Sequence, residues 1–254
     1  MEQTLRAARL DALGRVPGLV HGFEQPLRIE GGSGGAGQPP QLDSERGFIS
    51  RERQDATRAR VASALQPFGR LLLLKQVHGT AVRGAPWSGH PEGDAAVAEQ
   101  PGLILGIETA DCLPVLVVDP VRRAVAAAHA GWRGTAAGVA RSAVAALVAG
   151  GSRPGDLVAA TGPGIGPCCY EVGDELRAAF GEAGAAFFRP GPRGRPNLDV
   201  RAANERQLRD AGIAEERIHR VADCTRCRAD LYHSYRRDGK GAGRMISFVG
   251  FAKP

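Results

Sequence analysis

Two short apolar runs separated by a tight turn, followed by a glycine-bounded loop, most constrain how this chain can fold. Residues 113–119 are rich in valine and leucine and end at an Asp-Pro turn signal, and residues 124–129 form the second run. Apolar runs of this length between turn residues are typical of buried β-strands. The loop at residues 131–134 leads to Thr135, which can cap a helix extending to about Gly150. The pattern therefore predicts strand, turn, strand, loop and helix.

Further elements are predicted on both sides of this unit. Residues 51–65 form an amphipathic helix that a Pro-Phe-Gly segment ends, and Asp199 caps another helix that ends at Gly212. Residues 157–161 and 245–249 are apolar runs that predict strands. No repeat and no linker divides the chain, so we expect one domain.

Polar residues lie where the predicted strands end, which is where a rigid scaffold usually presents functional groups. Asp111 and Cys112 precede the first strand, His129 closes the second, and His78 follows an apolar run at residues 71–74. Two imidazoles and one thiolate suffice for a zinc site that keeps its fourth position open. Two other interpretations stay open at this point. Cys112 can be a nucleophile with His129 as its base, or these residues can be an ordinary buried cysteine and strand-end histidines.

Five motifs resemble those of one protein family, in the same order along the chain. They are QVHGT at residues 76–80, TADCLPV at 109–115, HAGWRG at 129–134, GPGIGPCCYEV at 162–172 and SYRRDG at 234–239. This is the family long labelled multicopper polyphenol oxidase or laccase-domain protein and later described as purine nucleoside phosphorylase. Some of its members are called peptidoglycan editing factors.

The resemblance extends over about residues 21–251 and implies both a fold and a site. The implied fold is one domain, taken as residues 1–254, with a four-layer α/β/β/α arrangement and mixed sheets. The implied site has His78, Cys112 and His129 as ligands of one metal ion, usually zinc, with copper as the other candidate. The implied reaction is phosphorolysis of adenosine, inosine or methylthioadenosine, and in some members deamination of adenosine.

Three further residues are assigned roles beside this metal. Arg133, next to the predicted helix start, suits phosphate binding, although a salt bridge with a structural carboxylate explains it equally well. Asp111 either orients a metal ligand, acts as an acid or base, or caps a turn. Arg236, in the loop before the last predicted strand, is assigned to substrate binding. Together with Cys112, Asp111 and Arg133 are the expected catalytic residues.

The chain departs from the family pattern in two places and adds unexplained cysteines in others. The smaller departure is Ala98, which stands where the family often has the threonine of an Asp-Ala-Leu-Val-Thr run, while Asp94 matches the first residue of that run. The family usually carries a Thr-Arg pair just after the His-Gly-Phe motif, whereas here Glu24 begins that region and the nearest arginine is Arg28. A ligand role for Arg28 is therefore not carried over. The remaining cysteines are interpreted as loop or packing residues, because a consecutive pair and a lone Cys-x-x-Cys are weak metal signals. They are Cys168, Cys169, Cys224 and Cys227.

Composition excludes several classes of protein. The chain has 254 residues, of which 43% are hydrophobic and 24% charged, as is ordinary for a globular domain. We expect no membrane span and no signal peptide, because no stretch approaches ~20 apolar residues, and the cytoplasm is the expected compartment. The net charge of +6 suits an anionic ligand, but the basic residues are scattered, so nucleic-acid binding is not expected. A monomer and a homodimer fit equally well.

Two competing activities can be weighed from the histidines and cysteines. The chain has six histidines and no His-x-His pair, which argues against a multinuclear copper cluster and copper-dependent polyphenol oxidation. A cysteine hydrolase or amidase acting on cell-wall precursors would use Cys112 and His129. A non-catalytic binding module does not explain the polar residues at the strand ends.

Overall fold

The computed structural model describes residues 5–25 and 51–254, which form two mixed β-sheets stacked on each other. Within these ranges the first sheet has five strands, in the order β1 (Ala7–Ala8), β2 (Leu19–Glu24), β13 (Met245–Phe251), β6 (Leu103–Thr109) and β3 (Arg70–Leu72). The neighbours β6 and β3 are parallel, and the other pairs are antiparallel.

The second sheet carries the predicted hairpin at its centre. In the described residues its six strands follow the order β12 (Ile218–Arg220), β9 (Val158–Thr161), β7 (Leu113–Asp119), β8 (Ala124–Ala130), β5 (Ala95–Ala98) and β4 (Val82–Gly84). The two outermost pairs are parallel and the inner pairs are antiparallel. A separate small hairpin joins β10 (Phe188–Pro190) to β11 (Pro196–Leu198).

The strands β7 and β8 confirm the predicted strand–turn–strand unit, and every residue in both is buried. Their apolar runs are continuous because each strand is covered on both faces. Val115 and Val117 face one core, whereas Leu116 and Val118 face the other. The register pairs Pro114 with His129. Cys112, two residues before Pro114 in the chain, therefore lies beside the end of β8.

Helices cover the outer face of each sheet, which gives the expected four-layer α/β/β/α arrangement. Among the described residues the helices are α1 (Asp11–Gly14), α2 (Arg51–Leu65), α3 (Trp132–Ala137), α4 (Val139–Ala149), α5 (Glu175–Phe180), α6 (Val200–Asp210) and α7 (Tyr235–Asp238). Val61 and Leu65 of α2 pack on the five-stranded sheet. Val144 and Leu147 of α4, with Leu208 of α6, pack on the six-stranded sheet. A third core lies between the sheets.

Two of the three predicted helices are confirmed, and the one after the hairpin is corrected. The helix α2 occupies the predicted residues, and α6 is capped by Asp199, whose carboxylate accepts the Ala202 N–H at 2.9 Å. The helix expected from Thr135 to about Gly150 instead begins at Trp132 and is interrupted at Gly138, which has a φ of +93°. Gly131 takes the N-cap position, and the buried Thr135 hydroxyl accepts a hydrogen bond from Asn204.

In the part of the chain that the structure describes, none of these helices has the length and apolar character needed to cross a membrane.

Candidate metal centre and active-site cavity

Three side chains from separate strands and loops converge beside the central hairpin. His78 follows β3, Cys112 immediately precedes β7, and His129 lies in β8. One ligand atom from each lies within 4.8 Å of the others. The Cys112 Sγ is 3.9 Å from Nε2 of His78, and the two imidazole rings meet edge to face with 4.8 Å between their centroids. The two imidazoles and the thiol suggested by the sequence are thus brought together.

A buried carboxylate, Asp94, positions the imidazole of His129 and the backbone of His78. Its Oδ1 accepts a hydrogen bond from Nδ1 of His129 at 2.8 Å, so Nε2 is the nitrogen of that ring that can bind an ion, which would displace the proton on Nε2. The same carboxylate accepts the backbone N–H groups of Val77 at 3.1 Å, His78 at 2.9 Å and Gly79 at 2.7 Å. These amide hydrogen bonds stabilise His78 at a φ of +62°, a left-handed conformation that is uncommon outside glycine.

The thiol of Cys112 and the imidazole of His129 shift each other's ionisation. Burial favours the neutral thiol, but the charge on His129 and hydrogen bonds from His129 and His78 lower the pKa of Cys112 from 9.0 to about 6. Burial likewise favours neutral imidazole, but the Cys112 charge and the hydrogen bond to Asp94 raise the pKa of His129 to about 9. The lowered pKa of Cys112 favours the thiolate, the form that binds metals and attacks electrophiles.

The donor set and its packing fit a metal ion. Two imidazoles and a thiolate leave a fourth tetrahedral position open, as in catalytic zinc sites, and Asp94 supplies the outer hydrogen bond that metal-bound histidines usually make. Gly131 lies against two of the three ligands, His78 and Cys112. A Cβ atom there would be 2.8 Å from Cδ2 of His78 and 3.1 Å from the Cys112 sulfur. Among the described residues, none of the other four histidines joins this group, so the site offers ligands for one ion.

Asp111, next to Cys112, also has a left-handed backbone, with a φ of +90°. Its Oδ1 accepts the Thr225 hydroxyl at 2.6 Å, and its Oδ2 accepts the backbone N–H of Arg236 at 2.6 Å. The strained backbone and the two short hydrogen bonds fix the carboxylate at the cavity wall. The first bond comes from the loop after β12 and the second from α7, not from a loop as expected for Arg236, and the sequence spacing does not indicate either contact.

The six residues singled out from the sequence all line one cavity of about 610 Å³. They are His78, Asp111, Cys112, His129, Arg133 and Arg236. The volume lies in the range of small-molecule sites. The aromatic side chains of Trp132, Tyr170 and Tyr235 also line it. A polar site with an apolar wall can bind a molecule that has both a charged part and an aromatic part.

The arginines of the cavity differ in how far they are neutralised. Arg58 is paired with Glu108 through two hydrogen bonds, of 2.9 Å and 2.7 Å. Arg133 makes no salt bridge with any described residue, and its guanidinium stacks 4.4 Å above the Trp132 ring. Arg236 donates to the Glu171 carbonyl at 2.7 Å and lies over the Tyr170 ring. The sequence-based alternative of a structural carboxylate partner for Arg133 is therefore wrong within the described chain.

The region where the family usually has its Thr-Arg pair is only partly described. Glu24 is buried, forms an ion pair with Arg60 and accepts the backbone N–H of Ile246 at 2.7 Å. Arg28 lies outside the described residues. Glu24 thus joins β2 to α2 and β13, and it does not line the cavity.

Comparison with known proteins identifies relatives along most of the chain. A family model described as multi-copper polyphenol oxidoreductase laccase matches residues 34–252. A protein of Deinococcus radiodurans named purine nucleoside phosphorylase is 40% identical over 201 residues, which is 77% of this chain and 76% of that protein. A protein of an unknown prokaryotic organism named adenosine deaminase RL5 is 37% identical over 160 residues, 61% of each chain.

A solved structure supports the same relationship. The crystal structure of the Neisseria meningitidis protein NMB0706 superposes with a TM-score of 0.80 at 30% sequence identity. The match covers 99% of this chain and 100% of that chain. The two-sheet architecture is therefore one that a related sequence adopts in a crystal.

Proposed function

The chain belongs to the multi-copper polyphenol oxidoreductase laccase family, and we propose that it is a zinc-dependent purine nucleoside phosphorylase acting on adenosine, inosine and methylthioadenosine. The observation that carries the proposal is the convergence of His78, Cys112 and His129 in a cavity that also contains an unpaired arginine. The name of the Deinococcus radiodurans relative supports the reaction class.

Phosphate binding is assigned to Arg133. Arg133 lines the cavity and makes no salt bridge with any described residue, so its donors are available to an anion. An arginine can bind two phosphate oxygens at once, and such charge-assisted hydrogen bonds are among the strongest in proteins. Arg58 is a weaker candidate because Glu108 already occupies its donors.

The aromatic wall suits the purine and ribose. Trp132, Tyr170 and Tyr235 line the cavity, and a flat purine can stack on such rings. The Arg236 guanidinium lies over Tyr170, with 5.1 Å to the ring centroid, and so stiffens this side of the site. Arg236 therefore contributes to nucleoside binding through its guanidinium and through the backbone N–H that it donates to Asp111.

Proton transfer is assigned to Asp111. Glu108 is neutralised by Arg58, whereas Asp111 is a cavity-lining carboxyl with no salt bridge to any described arginine or lysine. In the proposed reaction a phosphate oxygen bonds to C1′ of the ribose as the N-glycosidic bond breaks. The electron pair of that bond leaves with the purine, and the purine takes up the proton that the attacking phosphate loses, with Asp111 relaying that proton. The products are ribose 1-phosphate and the free base.

The residues of the metal centre have a separate role. His78 and His129 would hold the ion through ring nitrogens, with Cys112 as the thiolate ligand. Asp94 keeps the His129 ring and the His78 backbone in position. A bound zinc ion supplies a Lewis acid that polarises a substrate oxygen or nitrogen. Cys112 then serves as a ligand rather than as a nucleophile.

Deamination of adenosine is a second candidate, favoured by the relative named adenosine deaminase RL5. In that reaction a water oxygen adds to C6 of the purine and ammonia leaves, giving inosine. Both reactions start from adenosine but give different products, adenine or inosine, so one assay of the products distinguishes them.

The testing experiment is an incubation of zinc-loaded protein with adenosine, with and without phosphate, followed by chromatography. The proposal predicts adenine only when phosphate is present. Inosine formed in either buffer would support deamination. If neither product forms, the phosphorylase proposal fails. Alkylation of Cys112 in the zinc-loaded protein would then favour the cysteine hydrolase, because a zinc-bound thiolate is protected.

A further inference from the structure

Four cysteines that the sequence left without a role form a cluster distinct from the metal centre. The sulfur atoms of Cys168, Cys169, Cys224 and Cys227 all lie within 4.8 Å of one another. The Cys227 sulfur is 3.7 Å from that of Cys168 and 3.4 Å from that of Cys169. These residues lie in loops, as the sequence suggests, but the loops bring the two pairs together, which their spacing along the chain does not indicate.

The topology of the six-stranded sheet brings the two pairs together. Strands β9 and β12 are parallel neighbours, so the loops that follow them leave the same edge of the sheet. Gly164, in the first loop, bridges to Cys224 in the second, and the Thr225 N–H donates to the Gly164 carbonyl at 3.1 Å. About 56 residues of chain separate the pairs, but the loops are hydrogen-bonded to each other.

The turn at residues 167–169 allows two consecutive cysteines to point the same way. The N–H groups of Cys169 and Tyr170 both donate to the Gly166 carbonyl, at 2.9 Å and 3.0 Å. The chain is thus tightly curved here, whereas a strand would direct neighbouring side chains to opposite faces. The other pair forms a Cys-x-x-Cys turn, the ligand spacing common in structural zinc sites.

The sulfur separations match a tetrahedral thiolate site. Four sulfurs at about 2.3 Å from a zinc ion are about 3.8 Å apart, close to the separations of 3.4 Å and 3.7 Å. A disulfide requires about 2.0 Å between the sulfurs, and all four cysteines are free. The geometry points to a second, structural zinc site held by Cys168, Cys169, Cys224 and Cys227.

The surroundings of the cluster offset the negative charge of four thiolates. The Gly166 N–H donates to the Cys224 sulfur at 3.3 Å, and the Arg226 guanidinium lies 3.5 Å from the Cys169 sulfur. A Cβ atom at Gly166 would come within 3.3 Å of the Cys168 sulfur, so the glycine permits the close packing. Cys168 and Cys227 are exposed, which gives an ion a route of entry.

The site would join two loops that form one wall of the cavity. Cys169 precedes Tyr170, which lines the cavity, and Thr225 lies inside the Cys-x-x-Cys turn and donates to Asp111 at 2.6 Å. A metal ion at the cluster therefore stabilises the position of Asp111 without contacting the substrate.

The test counts zinc ions in protein purified under reducing conditions and supplied with zinc, using native mass spectrometry. The wild-type chain should bind two ions, and Cys112→Ala one. The double variant Cys224→Ser with Cys227→Ser should also bind one, in that case at the His78 site. X-ray absorption at the zinc edge of Cys112→Ala should show four sulfur neighbours at about 2.3 Å.

Three results would overturn the inference, and none requires the double variant to fold. The first is reduced Cys112→Ala that binds no zinc. The second is a zinc ion in that variant with nitrogen or oxygen neighbours in place of sulfur. The third is wild-type protein that holds a single ion while the four cluster cysteines react freely with a thiol reagent or form a disulfide.

Discussion

The Asp94 carboxylate accepts a 2.8 Å hydrogen bond from Nδ1 of His129 and, with the same oxygen, a 2.9 Å hydrogen bond from the backbone of His78. One side chain thus fixes the tautomer of one proposed metal ligand and the backbone conformation of another. Its other oxygen accepts the N–H groups of Val77 and Gly79. All four hydrogen bonds are donated to Asp94, so both of its oxygens must act as acceptors.

Asp94→Asn should therefore weaken metal binding although it preserves the shape of the side chain. An amide has one acceptor oxygen, so its NH₂ group would face two of the four donors. We expect zinc affinity to fall about 10- to 100-fold, the usual effect of losing such an outer hydrogen bond. Competition with a chelator measures this, with Glu92→Gln on the exposed Lys75 pair as the control. Unchanged zinc affinity in Asp94→Asn would show that the Asp94 carboxylate does not support zinc binding.

Gly131→Ala tests whether the three ligands need to remain closely packed. Gly131 has an extended backbone that any residue adopts, so the change acts only through the added methyl group. That group would be 2.8 Å from Cδ2 of His78 and 3.1 Å from the Cys112 sulfur. We expect the zinc affinity to fall at least ~10-fold as the ligands are displaced, with far-ultraviolet circular dichroism unchanged.

The matched control is Gly155→Ala, where a new Cβ atom meets nothing within 4 Å. Zinc binding and circular dichroism of this control should both resemble the wild type. Full zinc affinity in Gly131→Ala would show that the ligands can move to accommodate a methyl group and that close packing at Gly131 does not hold them.

Arg133→Ala should raise the KM for phosphate more than the KM for the nucleoside. A hydrogen bond to a charged group contributes about 1.5–3 kcal/mol, which corresponds to a roughly 10- to 100-fold change in affinity. Steady-state kinetics with each substrate varied in turn measure the two constants. Arg141→Ala is the control, because Arg141 is exposed on α4 and does not line the cavity. Equal effects of the two variants would exclude Arg133 as the phosphate ligand.

His21 gives a pH dependence that is separate from the metal centre. Burial and the charge of Arg9 lower the pKa of His21 below its ordinary 6.5, and its Nε2 accepts the Leu10 N–H at 3.2 Å. A protonated ring cannot accept that bond. The unfolded chain therefore takes up the proton more readily, and the free energy of unfolding decreases as the pH falls below about 6.5.

His21→Gln should make the free energy of unfolding less dependent on pH between about pH 7 and pH 5, because a glutamine does not titrate there. Urea unfolding at several pH values measures the slope, with His90→Gln on the exposed surface as the control. A slope identical to that of the wild type would mean that His21 is not protonated more readily in the unfolded chain.

The sequence predicted the parts of the fold that depend on local pattern. The hairpin at residues 113–130 was predictable because its apolar runs are continuous and end at turn residues. The split of the following helix was not, since Gly138 interrupts it by adopting a positive φ that a helical pattern does not reveal. Thr135 likewise suits a helix cap, but in the structure its hydroxyl accepts a hydrogen bond from Asn204.

The site was predictable only in its outline. Family motifs identified the histidines and the cysteine. One motif also includes Asp94 but gave it no role, because that role depends on three backbone amides folded around it. The cysteine cluster was missed because it requires β9 and β12 to be parallel neighbours. The spacing of residues along the sequence does not show that the loops after these two strands meet in the folded chain. The sequence hinted at the cluster only through its two cysteine pairs, each of which is too weak a signal of a metal site on its own.

The most direct test of the account is the formation of ribose 1-phosphate from adenosine and inorganic phosphate, followed by phosphorus NMR. Zinc-loaded wild-type protein should convert the phosphate signal to that of ribose 1-phosphate as adenine appears. Protein stripped of metal, and Cys112→Ala supplied with zinc, should leave the phosphate signal unchanged. The account is contradicted if the wild type forms no ribose 1-phosphate, or if Cys112→Ala forms it as fast as the wild type.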